Sequence, residues 1–158
     1  MKTRVLAAVA ALALASGITH AQVPQYGANI TLDQAKKAIA AADAEARKNG
    51  WPVAIAIVDN AGHLVAYQRH DNTQTGSVYA SQDKAKSAAI WRRSTKVFQD
   101  AVAGGGAGLR SLGLRDASPI EGGLVIMVDG KIIGGIGVSG VTADQDGMVA
   151  KAGADAFK

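Results

Sequence analysis

Two histidines, three arginines and a small set of carboxylates are the groups in the mature part of this sequence with chemical potential. His63 and His70 follow the turn Asp59-Asn60-Ala61-Gly62 and are seven positions apart. Imidazole is the commonest neutral ligand for borderline metals and an axial ligand for haem iron. His63 and His70 are therefore candidate metal ligands, and His70 a candidate ligand or proton-transfer group. Arg69, Arg92 and Arg93 are candidate partners for carboxylates such as the propionates of haem, through charge-assisted bonds. Asp71, Glu121, Asp144 and Asp146 could supply an acid or a base. Glu121 precedes Gly122-Gly123 and is the carboxylate expected at the mouth of a crevice, with His70 the other catalytic candidate. No nucleophile–base spacing is visible. Proton abstraction or isomerisation is the chemistry such groups support without a metal.

The elements that must position these groups follow from patterning. Thr31 and Gln34 have capping-box spacing, and Leu32, Ala35, Ile39, Ala42 and Ala46 recur near helical periodicity, so residues 32–48 read as an amphipathic helix. Pro52 blocks its continuation. Val53–Val58 and His63–Arg69 read as a hairpin, whose alternation groups His63, Val65, Tyr67 and Arg69 on one face. Residues 78–98 read as one long helix. The Gly104-Gly105-Gly106 run reads as a flexible or tightly turning connection; it lacks the Gly-Lys-Ser/Thr ending of a phosphate loop. Leu124–Val128, Asp129-Gly130 and Lys131–Val138 form a second hairpin. Thr142 and Gln145 open a final helix over 143–157. The order helix, hairpin, helix, hairpin, helix predicts an α/β (α+β sandwich) fold with a mainly antiparallel sheet covered by helices in profilin-like layers. Gly134, Gly135, Gly137 and Gly140 are costly in a strand. They imply either close approach of a ligand, with Gly134 and Gly135 as cofactor-binding candidates, or crowding beneath a packed helix.

Composition narrows the classes. At 158 residues the chain holds one domain, and 48% hydrophobic residues exclude general disorder. The absence of cysteine excludes disulfides, thiolate metal sites and a cysteine nucleophile. Lys2 and Arg4, the apolar run Val5–Ala15, and Thr19 and Ala21 before a cut after Ala21 read as a secretory signal peptide over 1–21. The run is too short for a membrane span. Residues 22–30 then form a flexible leader and 31–158 a single ligand-binding-type domain. Losing Lys2 and Arg4 lowers the formal charge from +4 to +2, which argues against a nucleic-acid partner. The expected location is the periplasm or the exterior.

Three stretches together carry a resemblance. They are Ile57-Val58-Asp59-Asn60-Ala61-Gly62-His63-Leu64, followed by Arg69-His70-Asp71; Asp83-Lys84-Ala85-Lys86-Ser87-Ala88; and Glu121-Gly122-Gly123 running through Asp129-Gly130-Lys131 and the glycine-rich strand to Asp144-Gln145-Asp146. The chain resembles the family of extracellular haem-binding proteins and glycolate-utilisation accessory proteins, which includes the C-terminal domain of some cobalamin adenosyltransferases. The resemblance covers nearly the whole mature chain. It implies an α/β sandwich, homo-oligomeric assembly and, for some members, haem as ligand. The chain departs from the family's pattern at Gly104–Gly108 and at His70, where relatives often carry Met. Three functions stay open: a secreted small-ligand or haem-binding module, a small-molecule enzyme acting by proton transfer on a small organic acid or carbonyl compound, and a non-catalytic oligomeric accessory protein.

Overall fold

The computed structural model describes residues 23–158; the leader peptide expected over 1–21 lies outside them. Four antiparallel strands, β1 (Ala54–Val58), β2 (Leu64–Arg69), β3 (Gly123–Val128) and β4 (Lys131–Ser139), form one sheet in the order β2-β1-β4-β3. Helices α1 (Leu32–Lys48) and α4 (Ala143–Ala154) cover one face, and α2 (Ser77–Trp91) covers the other. This is the expected α+β sandwich.

Both faces are built on small residues. On the first, Ile55, Ile57, Ile136 and Val138 pack under Ala35, Ala38, Ala42 and Ala46 of α1 and Val149 and Ala150 of α4. On the second, α2 lies directly on β4. A Cβ at Gly137 would stand 2.0 Å from the Ser81 carbonyl oxygen, and one at Gly135 2.5 Å from that of Ala85. These glycines let two backbones touch, which offsets their entropic cost in a strand. Of the two readings of the glycine run, the structure supports the crowded helix contact.

Three local expectations need correction. The long helix breaks at Arg92, which adopts a left-handed conformation (φ 53°), and Ser94 caps a new helix, α3 (Thr95–Ala103), by accepting from the Lys96 N–H. Residues Gly106–Gly113 then form 3-10 turns, so the glycine-rich connection is ordered. Second, Val65 is an extra residue opposite the Ile57/Val58 step, a bulge that ends the simple alternation. Tyr67 packs with the cluster under α2, whereas Val65 packs with the α1 side. Third, residues 25–30 are anchored and not loose. Ile132 N–H donates to the Gln25 carbonyl (2.8 Å), Gly27 and Ile30 N–H donate to Ile132 and Ile133 (2.7 Å each), and Ile30 is buried.

Candidate functional site

β2 and β1 are held together beyond their ends, where the His70 N–H donates to the Val53 carbonyl at 3.0 Å. This fixes His70 at the end of an edge strand, over the polar face of α1. Its side chain is 13% exposed, and its Nε2 lies 2.5 Å from Oδ1 of Asp43. The same carboxylate accepts from Gln68 Nε2 at 2.7 Å and, through Oδ2, from Arg47 Nε at 2.8 Å. Burial pushes the Asp43 carboxyl up, but the hydrogen bonds and charges of Arg47 and His70 outweigh it and hold the group below its ordinary value. An ionised carboxylate only accepts, so Nε2 of His70 carries the proton. Nδ1 is then the ring atom left to receive a proton or approach a ligand.

An open cleft of about 1010 Å³ lies beside this cluster. Its wall includes Trp51, Pro52, Arg69, His70, Asp71 and Asn72, together with Asp43 and Arg47. Asn72 has φ 62°, a conformation that Asn tolerates better than most residues and that recurs at binding loops. Asp43, Arg47, Gln68 and Trp51 were not singled out in the sequence. The signal present there was the i,i+4 pair Asp43–Arg47 on the polar side of α1, which says nothing about a histidine 27 residues away.

The other candidates are dispersed. His63 sits at the opposite end of β2, with its side chain 79% exposed and its Nδ1 3.2 Å from Asp59. A six-residue strand separates it from His70, roughly 20 Å at about 3.3 Å per residue, so the two imidazoles do not share an ion. Among the described residues, no group of three or more acidic or histidine side chains is placed to hold a metal ion. Arg92 and Arg93 follow α2, whose far end lies about 22 Å from its start. Arg92 stacks over Tyr26 and Arg93 over Phe98, away from the His70 cleft. Gly134 and Gly135 are buried; a Cβ at Gly134 would meet the Val58 carbonyl at 2.3 Å. Neither offers a ligand a free approach.

Glu121 lies at the same end of the sheet as His70 but at the opposite edge, about 14 Å away at roughly 4.8 Å per strand. Its N–H donates to Gln99 Oε1 (2.7 Å), and its carboxyl rests against Gly147 of α4. Burial raises the Glu121 carboxyl above its ordinary value, and Asp144 and Asp100 add to this against the pull of Lys96. Beneath it is a buried ion pair that the sequence did not reveal. Lys84 of α2 donates to Asp146 Oδ2 (2.8 Å) and to the Val138 carbonyl (3.0 Å), with both side chains 3% exposed. Gly122, at φ 124°, passes so close that a Cβ would stand 2.9 Å from Lys84 Nζ. The pair ties α2, β4 and α4 together where β3 begins.

Haem, which the resemblance brings forward, can be tested against this geometry. Arg69 is exposed at the cleft and could meet a propionate, and Trp51 and Pro52 supply apolar surface. As placed, Nε2 of His70 does not fit as an iron ligand, because it is committed to Asp43. Coordination by Nε2 would require the imidazole to leave the carboxylate. No helix among the described residues is long and apolar enough to cross a membrane.

Comparison with known proteins agrees with the fold. The chain is 43% identical over 110 residues to Protein GlcG of Escherichia coli K12, covering 70% of this chain and 81% of that one. The crystal structure of a double mutant of Streptomyces reticuli HbpS superposes with a TM-score of 0.75 at 28% identity, covering 98% and 99% of the two chains. That of a PduOC:heme complex gives 0.73 at 26% identity, covering 82% and 96%. The family described as haem degrading protein HbpS-like matches residues 30–155, and the chain belongs to that family.

Proposed function

We propose that this chain is an exported small-ligand binding protein, and that its ligand is a small carboxylate-bearing molecule held in the His70 cleft. The observation that carries the reading is the imidazole of His70, fixed by Asp43 in the wall of a cleft where Arg69 stands exposed. Arg69 supplies a fork for a carboxylate, and Trp51 supplies a flat apolar surface. His70 contributes Nδ1, which accepts a hydrogen bond from the ligand or takes a proton from it. This arrangement supports proton transfer on a bound organic acid as readily as binding alone.

A second reading is haem, favoured by the family description and by the haem complex of the PduOC relative. In this chain it requires a ligand other than Nε2 of His70 as now placed, or release of His70 from Asp43.

The test is titration of the purified exported protein with haem, read at the Soret band, and with mono- and dicarboxylates, read by calorimetry. The carboxylate reading predicts saturable heat that weakens about tenfold or more in Arg69→Ala, the scale of one lost charge-assisted bond. The haem reading predicts a Soret band that Asp43→Asn strengthens by freeing His70. Absence of both signals at millimolar carboxylate and micromolar haem removes the proposal.

A further inference from the structure

The order β2-β1-β4-β3 leaves one margin of the sheet to β3, and a cavity of about 580 Å³ opens against it. β3 contributes Leu124, Val125 and Met127 to its wall; α4 and the 3-10 turn Asp155–Phe157 contribute Ala154 and Phe157. Neighbouring residues of a strand point to opposite faces, so a space lined by both Leu124 and Val125 wraps around the margin. All five side chains are half-buried. Leu124, Ala154 and Phe157 also pack against the main core, which holds the wall in place. Met127 adds an unbranched, polarisable side chain that adapts to an irregular apolar guest. The volume is that of a small-molecule site. A bulge at the Ile126/Met127 step makes the margin irregular, which disfavours an added strand from a peptide or a second copy.

The polar side chains of the lining are all charged: Asp129, Lys151, Asp155 and Lys158. Asp155 is bonded by both lysines, Lys151 Nζ at Oδ2 and Lys158 Nζ 2.5 Å from Oδ1, and they hold its carboxyl below the ordinary value. One carboxylate thus serves two ammonium groups. Lys37 brings a third, with Nζ 5.2 Å over the Phe157 ring. Against Asp129 and Asp155 this leaves one positive charge in excess. The side chains of Lys151 and Lys158 are 66% and 74% exposed. Each can turn an N–H toward a second carboxylate while its stem covers apolar surface.

We propose that this cavity binds a free medium-chain fatty acid, with the aliphatic tail against Leu124, Met127 and Phe157 and the carboxylate at Lys151 and Lys158. The cavity shares no lining residue with the His70 cleft and stands whether or not that cleft binds a ligand. A small dicarboxylate has no tail to fill it.

The test is calorimetric titration of the purified chain with hexanoate, octanoate and decanoate, each below its micelle concentration. Affinity should rise about fourfold per added methylene, the equivalent of one buried CH₂. Decylammonium, with the same tail and the opposite charge, should bind at least tenfold more weakly than decanoate. Met127→Glu, which sets a carboxylate in the apolar wall, should abolish decanoate binding. Lys151→Gln with Lys158→Gln, both on the surface and so without risk to folding, should weaken it about threefold or more. Arg69→Ala should leave it unchanged. No saturable heat with decanoate, affinity indifferent to chain length, or equal affinity for decylammonium overturns the proposal. So does decanoate binding that survives both the Met127 and the lysine variants, or that is lost in Arg69→Ala. An oligomer by light scattering that gives no decanoate heat has this margin covered by a second copy, and overturns it too.

Discussion

The Nε2 atom of His70 lies 2.5 Å from Oδ1 of Asp43, so the outermost nitrogen of the ring is bonded to α1. One carboxylate on α1 thereby fixes the ring at the end of an edge strand and joins the helix to it through Gln68 as well. The pair converts a residue that reads as an isolated loop histidine into an oriented one.

The orientation has a pH consequence. The Asp43 carboxyl is held below its ordinary value, so its contribution to stability is fully present above the unfolded aspartate pKa. It is lost as pH falls through the lower folded value. Asp43→Asn should therefore destabilise the protein at neutral pH by about 1 kcal/mol, a charge-assisted bond discounted for solvent screening. The difference from the parent should shrink below pH 4. Denaturant unfolding of both proteins across that range checks it; a gap that persists unchanged at the lowest pH speaks against the assignment.

The buried pair of Lys84 and Asp146 should behave differently. Removing one partner leaves an uncompensated charge in the interior, which costs about 3–5 kcal/mol. Lys84→Met alone should be severely destabilised. The double variant Lys84→Met, Asp146→Leu should recover much of the loss, because two apolar groups leave no stranded charge. Equal destabilisation of the single and double variants in urea unfolding would show that the pair is not the source.

Glycine substitutions separate backbone contact from ligand access. Gly137→Ala would place its methyl 2.0 Å from the Ser81 carbonyl, so α2 must shift. We expect a loss of about 3 kcal/mol, toward the upper end for overpacking. Gly76→Ala meets nothing within 4 Å and should be close to neutral. Thermal melts of the two variants would expose a fault in the packing argument if they moved together.

Much of this architecture is legible locally. Thr31 and Gln34 mark the start of α1, and both side-chain bonds of that capping box are present. Thr142 and Gln145 do the same for α4. Asp129-Gly130 marks the second hairpin, with both residues at positive φ. The break at Arg92 is not legible, because a left-handed arginine carries no sequence mark and Ala-rich flanks favour helix on its N-terminal side. Ser94 was the available signal. The site is harder still: His70 meets Asp43 across 27 residues, and Lys84 meets Asp146 across 62. Such pairings depend on strand order and helix placement, which single-residue chemistry does not encode. The glycines of β4 were visible, but only their position under α2 decides between a packed helix and a ligand.

Glu121 offers a test of the acidic edge. Its carboxyl is raised by burial and by Asp144 and Asp100, so the folded state binds its proton more tightly than the unfolded state. Stability from this group falls as pH rises from the unfolded glutamate pKa through the folded one. Glu121→Gln should match the parent below the ordinary glutamate pKa and equal or exceed its stability at pH 7. A variant less stable at neutral pH would mean that the ionised carboxylate makes a favourable contact.

The central claim is that ligand enters beside His70. A nitrogen–proton correlation NMR titration of the labelled protein with haem and with a small dicarboxylate tests it most directly. The account predicts saturating shifts at the amides of residues 47–53 and 68–73, lost for the dicarboxylate in Arg69→Ala. Shifts centred elsewhere, such as on Leu124–Gly130 and Lys151–Lys158, or no shifts at millimolar ligand, would contradict it.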